Sequence, residues 1–163
     1  MKLRKLHHAV LRVRELDRAV AFYRDILGFT EVARIQDMMA FLSLGTSHHD
    51  LALQALGPSA PPPNPHGVGL YHLAFEVDTL GDLAAARDRL TKAGSLVGAS
   101  DHGVSKSLYA KDPDGNEFEL LWNVPPHEYE GRIDAVAEKI APLDLEGEIS
   151  RRGAGAPSGG EAA

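Results

Sequence analysis

The sequence predicts an α+β fold: two paired βαβββ modules forming a cupped mixed sheet. Three observations predict it. His8 and His72 stand 64 positions apart, and the same offset aligns Leu16 with Leu80, Ala19 with Leu83, Val20 with Ala84 and Ile26 with Leu90. In both copies a period-2 apolar stretch runs into a segment whose apolar residues recur at three- and four-residue spacing, so a strand feeds a helix. A Pro- and Gly-rich stretch, Gly57–Gly69, then separates the copies as an extended linker.

The elements follow in order. The first strand carries His7, Ala9, Leu11 and Val13 on one face and His8, Val10 and Arg12 on the other. The first helix is expected over Leu16–Leu27 with Gly28 as its stop, and strand-like segments follow at Thr30–Ile35, Met38–Leu44 and Asp50–Leu56. After the linker, Tyr71, Leu73, Phe75 and Val77 face a helix while His72, Ala74 and Glu76 face the other way. The second helix is expected over Leu80–Ala93, stopped by Gly94. A weak strand near Leu96–Ala99 precedes strands at Ser105–Lys111 and Asn116–Asn123, joined as a hairpin by the Asp112–Gly115 turn, where Pro113 and Gly115 supply the backbone angles. The organisation expected is residues 1–56 and 70–126 as modules around the 57–69 linker, then a 127–163 tail. Within that tail Ile133–Ile140 reads as a short helix and Gly153–Ala163, rich in Gly, Ala and Ser, as disordered.

Composition narrows the function. With 44% apolar and 25% charged residues, the chain has the make-up of an ordinary globule with a sizeable core. A net charge of −6 argues against nucleic acid, whose phosphates need a basic face. Residues 127–163 hold eight acidic and four basic side chains, so most of that charge lies in the tail and the body is close to neutral. There is no cysteine, hence no disulfide or thiolate chemistry, and no apolar run of membrane-span or signal-peptide length. The expectation is a soluble cytoplasmic protein with no membrane partner.

The candidate chemistry sits on the faces turned away from the helices. Register and parity both select His8 over His7 as the equivalent of His72. In the last strand Phe118, Leu120 and Trp122 form the packing face, which leaves Glu117, Glu119 and Leu121 opposite. An unpaired mid-strand carboxylate is costly, so Glu119 on the face of two mid-strand histidines suggests a metal. Two imidazoles and one carboxylate form an open ligand set suited to a catalytic divalent ion; a closed structural zinc site would want four ligands, commonly with cysteine. The plainer reading of any one such histidine is a hydrogen-bonded or half-exposed side chain. Iron, manganese, zinc and nickel all accept this donor set. Val10, Met38, Met39 and Phe41 are candidate cavity walls.

At Leu6–Phe29 (LHHAVLRVRELDRAVAFYRDILGF), Tyr71–Val77 (YHLAFEV) and Asp101–Trp122 (DHGVSKSLYAKDPDGNEFELLW) the chain resembles the vicinal oxygen chelate superfamily. That superfamily includes glyoxalase I, extradiol dioxygenases and bleomycin-resistance proteins. The resemblance covers about residues 5–124 and implies the glyoxalase/dioxygenase-like fold of paired βαβββ modules. DHGVSKSLY followed by DPDGNEFEL is similar to the catechol 2,3-dioxygenase-like branch. This implies Fe(II), held by His8, His72 and Glu119, and cleavage of a catechol-type aromatic diol with O2, a reaction of aromatic catabolism. Tyr109 matches the branch's active-site tyrosine, ten positions before the glutamate, and His102 the histidine upstream of it. In this role Tyr109 hydrogen-bonds substrate and His102 transfers a proton, as a side chain with a reference pKa near ~6.5 can. Their plainer readings are a strand aromatic and an exposed loop histidine. His48 or His49 is a candidate for a further assisting histidine without a clear equivalent. Relatives often dimerise, so a homodimer is an expected partner. The alternatives are a glyoxalase-like lyase, isomerase or epimerase using Mn(II), Ni(II) or Zn(II), with Gln54 as a fourth ligand, and a non-catalytic small-molecule binding protein of the resistance type.

Overall fold

The computed structural model describes residues 1–45, 47–132 and 140–160. The chain divides into two units: residues 1–66 with Asp112–Asn116, and residues 67–111 with 117–163. Each carries its own mixed sheet in β-α-β-β-β order, so hydrogen bonding makes two sheets where a single shared one was expected.

Unit 1 runs β1 (Ala9–Val13), α1 (Leu16–Asp25), β2 (Thr30–Ile35), β3 (Met39–Ser43) and β4 (Leu51–Ala55), with spatial order β1-β4-β3-β2. β1 pairs parallel with β4, and the other pairs are antiparallel. Alternation decides what is inside: Leu11 and Val13 are buried and Val10 is half exposed, as the period-2 pattern requires. Leu16, Ala19, Val20 and Tyr23 bury the inner stripe of α1 over Leu42, Leu51 and Leu53. The helix ends two residues earlier than the spacing predicts. Gly28, at φ +79, returns its N–H to the Arg24 carbonyl, and Phe29 to that of Tyr23.

The Asp112–Asn116 turn explains why its motif has the residues it has. Asp112 is buried, and its carboxylate accepts from the N–H of Asp114 and of Asn116 (both 2.9 Å), the Asn116 amide (2.8 Å) and the Tyr23 hydroxyl (3.2 Å). Burial, then the nearby Asp112 carboxylate, pushes the Tyr23 phenol well above its ordinary value, keeping it a donor. Asp114 accepts from the Arg14 N–H (3.1 Å) and pairs with Arg18 at 2.7 Å. Gly115 takes φ +91, a conformation that glycine adopts without strain.

Unit 2 runs β5 (His72–Glu76), α2 (Leu80–Lys92), β6 (Leu96–Asp101), β7 (Ser105–Lys111), β8 (Glu117–Asn123), β9 (Ala141–Pro142) and α3 (Leu145–Arg152), with strand order β5-β8-β7-β6-β9. α2 opens on a capping box: Thr79 accepts from the Asp82 N–H, and Asp82 accepts from the Thr79 N–H. Such a cap is worth about 1 kcal/mol. Leu80, Leu83 and Leu90 pack with Leu108, Phe118, Leu120 and Trp122 to form the core.

Beyond Asn123 the chain departs from expectation. The expected helix at Ile133–Ile140 lies, but for its last residue, outside the described residues, whereas β9 and α3 were not expected. Yet α3 has Asp144 as N-cap, Glu146 and Glu148 in its first turn, Arg151 and Arg152 in its last and Gly153 after it. Gly153–Ala163 was expected to be disordered, yet its described part, Gly153–Gly160, is tied down. The Trp122 indole donates to the Ala156 carbonyl (2.9 Å), the Leu80 and Gly81 N–H groups donate to the carbonyls of Ala156 and Ala154, and the Ser158 hydroxyl donates to Glu76 (2.6 Å). Small residues serve here because backbone approaches backbone: a Cβ on Gly81 would sit 3.0 Å from the Ala154 oxygen. No helix among the described residues is long and apolar enough to cross a membrane.

Candidate functional site

The sheet of unit 2 turns one face toward α2, and the candidate chemistry lies on the other. In β8, Phe118, Leu120 and Trp122 are buried on the helix side, and in β7 Leu108 and Ala110 join them. The opposite face carries His72, Glu119 and Tyr109. Register brings them together: Tyr109 is the direct antiparallel partner of Glu119, and His72 pairs with Glu117, one step along the same face from Glu119. His72 Nε2 lies 3.1 Å from Glu119 Oε2, and the Tyr109 hydroxyl donates to Glu119 Oε1 at 3.3 Å. Behind Tyr109, His102 Nε2 lies 2.8 Å from the hydroxyl oxygen. Since the phenol has a single proton and gives it to the carboxylate, His102 Nε2–H is the donor of that contact.

Glu119 is only 7% exposed, so its charge is costly unless these partners hold it. Burial first, then the Glu119 charge and hydrogen bond, pushes the Tyr109 phenol up to about 12. It is therefore a neutral donor through the whole neutral range. His72 Nδ1 is buried without a partner, the kind of orphaned polar atom that a ligand or ion accounts for. It is not the ring nitrogen that meets Glu119; that one is Nε2, and the imidazole–carboxylate pair it forms fits a borderline divalent cation.

His8 belongs to unit 1. It is exposed, immediately before β1, in a group of four imidazoles. His7 and His8 approach through Nδ1 at 2.9 Å, His48 and His49 at 2.7 Å, and the His8 and His49 rings lie 4.4 Å apart with Phe41 beside His49. Loss of water contact, then the neighbouring imidazoles, lowers the pKa of His7 and His49. Gln54 lies half-buried in β4 of the same unit, beside Arg12 and Met39. Thus His72, Glu119, Tyr109 and His102 are brought together, while His8, His48, His49 and Gln54 are placed in unit 1. Among the described residues no group of three or more His, Cys, Asp or Glu side chains is arranged to hold a metal ion.

Sequence reading missed three charged residues: Asp101, Lys106 and Glu148. One signal was available. Lys106 interrupts the apolar face of β7 at a position where parity demands an apolar side chain.

A family profile described as the Glyoxalase/Bleomycin resistance protein/Dioxygenase superfamily matches residues 5–120. The chain belongs to this superfamily. It is 31% identical over 147 residues to a catechol-2,3-dioxygenase of Bacillus subtilis, covering 90% of this chain and 51% of that protein. It is 39% identical over 120 residues to a biphenyl-2,3-diol 1,2-dioxygenase of Rhodococcus globerulus, covering 71% and 62%. The chain thus spans about half to three fifths of these two relatives. Another superfamily relative, a probable lactoylglutathione lyase of Vibrio cholerae, is 26% identical, with 78% of this chain and 96% of that protein covered. A solved glyoxylase/bleomycin resistance protein/dioxygenase domain from Frankia superposes with a TM-score of 0.64 at 25% identity, covering 76% of this chain and all of that one.

Proposed function

We propose that this superfamily member is a divalent-metal-dependent extradiol dioxygenase that opens a catechol-type aromatic diol with O2. His8, His72 and Glu119 are the proposed ligands and Fe(II) the proposed metal. The observation that carries the reading is the hydrogen-bonded series His102–Tyr109–Glu119, which runs a neutral phenol and an imidazole up to the proposed ligand carboxylate. The relatives named for catechol and biphenyl-2,3-diol dioxygenation support it.

The bound ion would supply Lewis-acid binding of two adjacent oxygens and a route for electrons between substrate and O2. The rest is the work of side chains. Tyr109, kept protonated by burial and by Glu119, donates a hydrogen bond to an oxygen that gains negative charge. His102 stands behind it with its Nε2–H on the phenol oxygen, placed to give a proton there when Tyr109 gives up its own. Glu119 is a charged acceptor whose position is fixed by Tyr109 across the strand pair. Aromatic catabolism in the cytoplasm and assembly as a homodimer complete the proposal.

Anaerobic reconstitution with Fe(II), followed by substituted catechols and O2, should give the yellow ring-opened product. Its absence across the panel, with methylglyoxal–thiol adducts turned over under Mn(II), Ni(II) or Zn(II), would favour the glyoxalase-like reading. The near-full coverage of the Vibrio cholerae protein keeps that second reading in play. No metal retained in any preparation would favour simple small-molecule binding.

A further inference from the structure

On the helix-covered face of the unit 2 sheet, Lys106 stands where an apolar residue belongs and is only 4% exposed. A buried ammonium costs several kcal/mol unless it is paired. Its Nζ lies 2.5 Å from Asp101 Oδ1 and 3.5 Å from Glu148 Oε1. Glu148, on α3, is buried as well and is held by Arg151 and by Arg152 at 2.8 Å. Arg152 pairs in turn with Glu128 and lies over the Trp122 ring, 5.3 Å from its centre.

The other end of this series reaches the candidate site. Asp101 Oδ1 accepts from the Gly103 N–H at 2.7 Å, closing a turn across His102, and the His102 N–H donates to the Ser105 carbonyl at 3.0 Å. Gly103 sits at φ +78, a conformation that glycine adopts without strain in the short loop between β6 and β7. That loop carries the imidazole that meets Tyr109. A well-packed apolar side chain in place of a buried ion pair is often as stable or more so, so stability alone does not call for a lysine here. Fixing the loop does.

We propose that Lys106, held from α3 by Glu148, is a positioning residue: it fixes Asp101 and through it the His102–Tyr109 hydrogen bond, making the C-terminal helix part of the working site. The catalytic consequence rests on the dioxygenase reading; the effect on His102 does not.

The test uses Lys106→Met, Asp101→Asn and the double variant in the full chain. The first readout is the ring NMR signal of His102, with Tyr109→Phe defining its value when the hydrogen bond is lost. Lys106→Met should move His102 toward that value, and the double variant should move it no further than the larger single effect, because both act through one contact. The second readout is ring cleavage, where kcat should fall about tenfold with KM changed less than twofold. An unmoved His102 signal in Lys106→Met, whatever happens to Tm, overturns the proposal, as does full additivity in the double variant. If Lys106→Met does not fold, Glu148→Gln decides by the same signal: a smaller shift in the same direction supports the proposal and none overturns it. Failure of the dioxygenase reading would show in the parent protein as absent ring cleavage, leaving the NMR result to stand on its own.

Discussion

Glu148 gives the structure a measurable acid weakness. Burial alone would raise its carboxyl, but the hydrogen bonds from Arg151 and Arg152 and the Lys106 charge outweigh burial and hold it down at about 2, against an ordinary 4.5. The folded value lies below the unfolded one, so the stabilisation is fully present above about pH 4.5 and is lost as pH falls through about 2. That gap corresponds to about 3 kcal/mol, at ~1.4 kcal/mol per tenfold change in proton affinity. The side chain is only 8% exposed, so solvent screening takes little from it. By pH 3 less than half of the contribution should remain. Urea unfolding of the parent and of Glu148→Gln, stepped from pH 7 to pH 3, measures it. At pH 7 the variant should be less stable by about 2–3 kcal/mol, with the gap narrowing steadily toward pH 3. A gap that stays constant with pH, or no gap at pH 7, would refute the reasoning, since either result means that the Glu148 proton is not linked to folding.

Further outcomes are expected at the candidate site and at the turn. His72→Ala should abolish metal retention by elemental analysis while circular dichroism stays native; unchanged metal content would remove His72 from the site. Tyr109→Phe should keep the metal and lower kcat by about 10- to 100-fold, as for loss of one hydrogen-bond donor to a developing negative charge; an unchanged kcat would return Tyr109 to an ordinary strand aromatic. Asp112→Ala strips the acceptor from two backbone N–H groups and from Tyr23, and should cost about 3 kcal/mol in urea unfolding. Asp112→Asn keeps one acceptor oxygen and should cost about 1 kcal/mol; equal losses from the two variants would show that the turn does not depend on those bonds.

Most of the element order was legible because two periodicities and their stop signals agree. Gly28 and Gly94 end their helices at positive φ, and Thr30–Ile35 and Ser105–Lys111 carry the expected strand bounds. Strand parity also placed Glu119 on the face of His72, since a period of 2 permits no intermediate answer. What composition hid was the C-terminal segment. Gly153–Gly160 is made of small residues, which read as disorder on their own, but their contacts are backbone groups meeting Trp122, Leu80 and Gly81. Such contacts depend on tertiary neighbours more than 60 residues away in sequence for the two α2 positions, and no local pattern encodes them.

The two most conspicuous motifs therefore do different work. Asp112–Asn116 is the more recognisable, yet each of its polar groups described here is spent on folding: Asp112 on the turn and Tyr23, Asp114 on Arg14 and Arg18, Asn116 on the Arg12 carbonyl. The motif marks the superfamily because it is a fold device, and for that reason it carries little information about the reaction. The Asp101–Tyr109 stretch is the reverse. Its Asp101, Gly103 and Lys106 serve to hold a loop, and what the loop presents is His102 against Tyr109. If two superfamily members share the first motif and differ in the second, it is the second that should follow a change of substrate. Exchanging His102 for glutamine, with the turn left intact, should alter turnover and leave unfolding within about 0.5 kcal/mol of the parent, the usual range for a partly exposed loop position. A loss of stability of several kcal/mol instead would mean that His102 is itself part of the folding hardware.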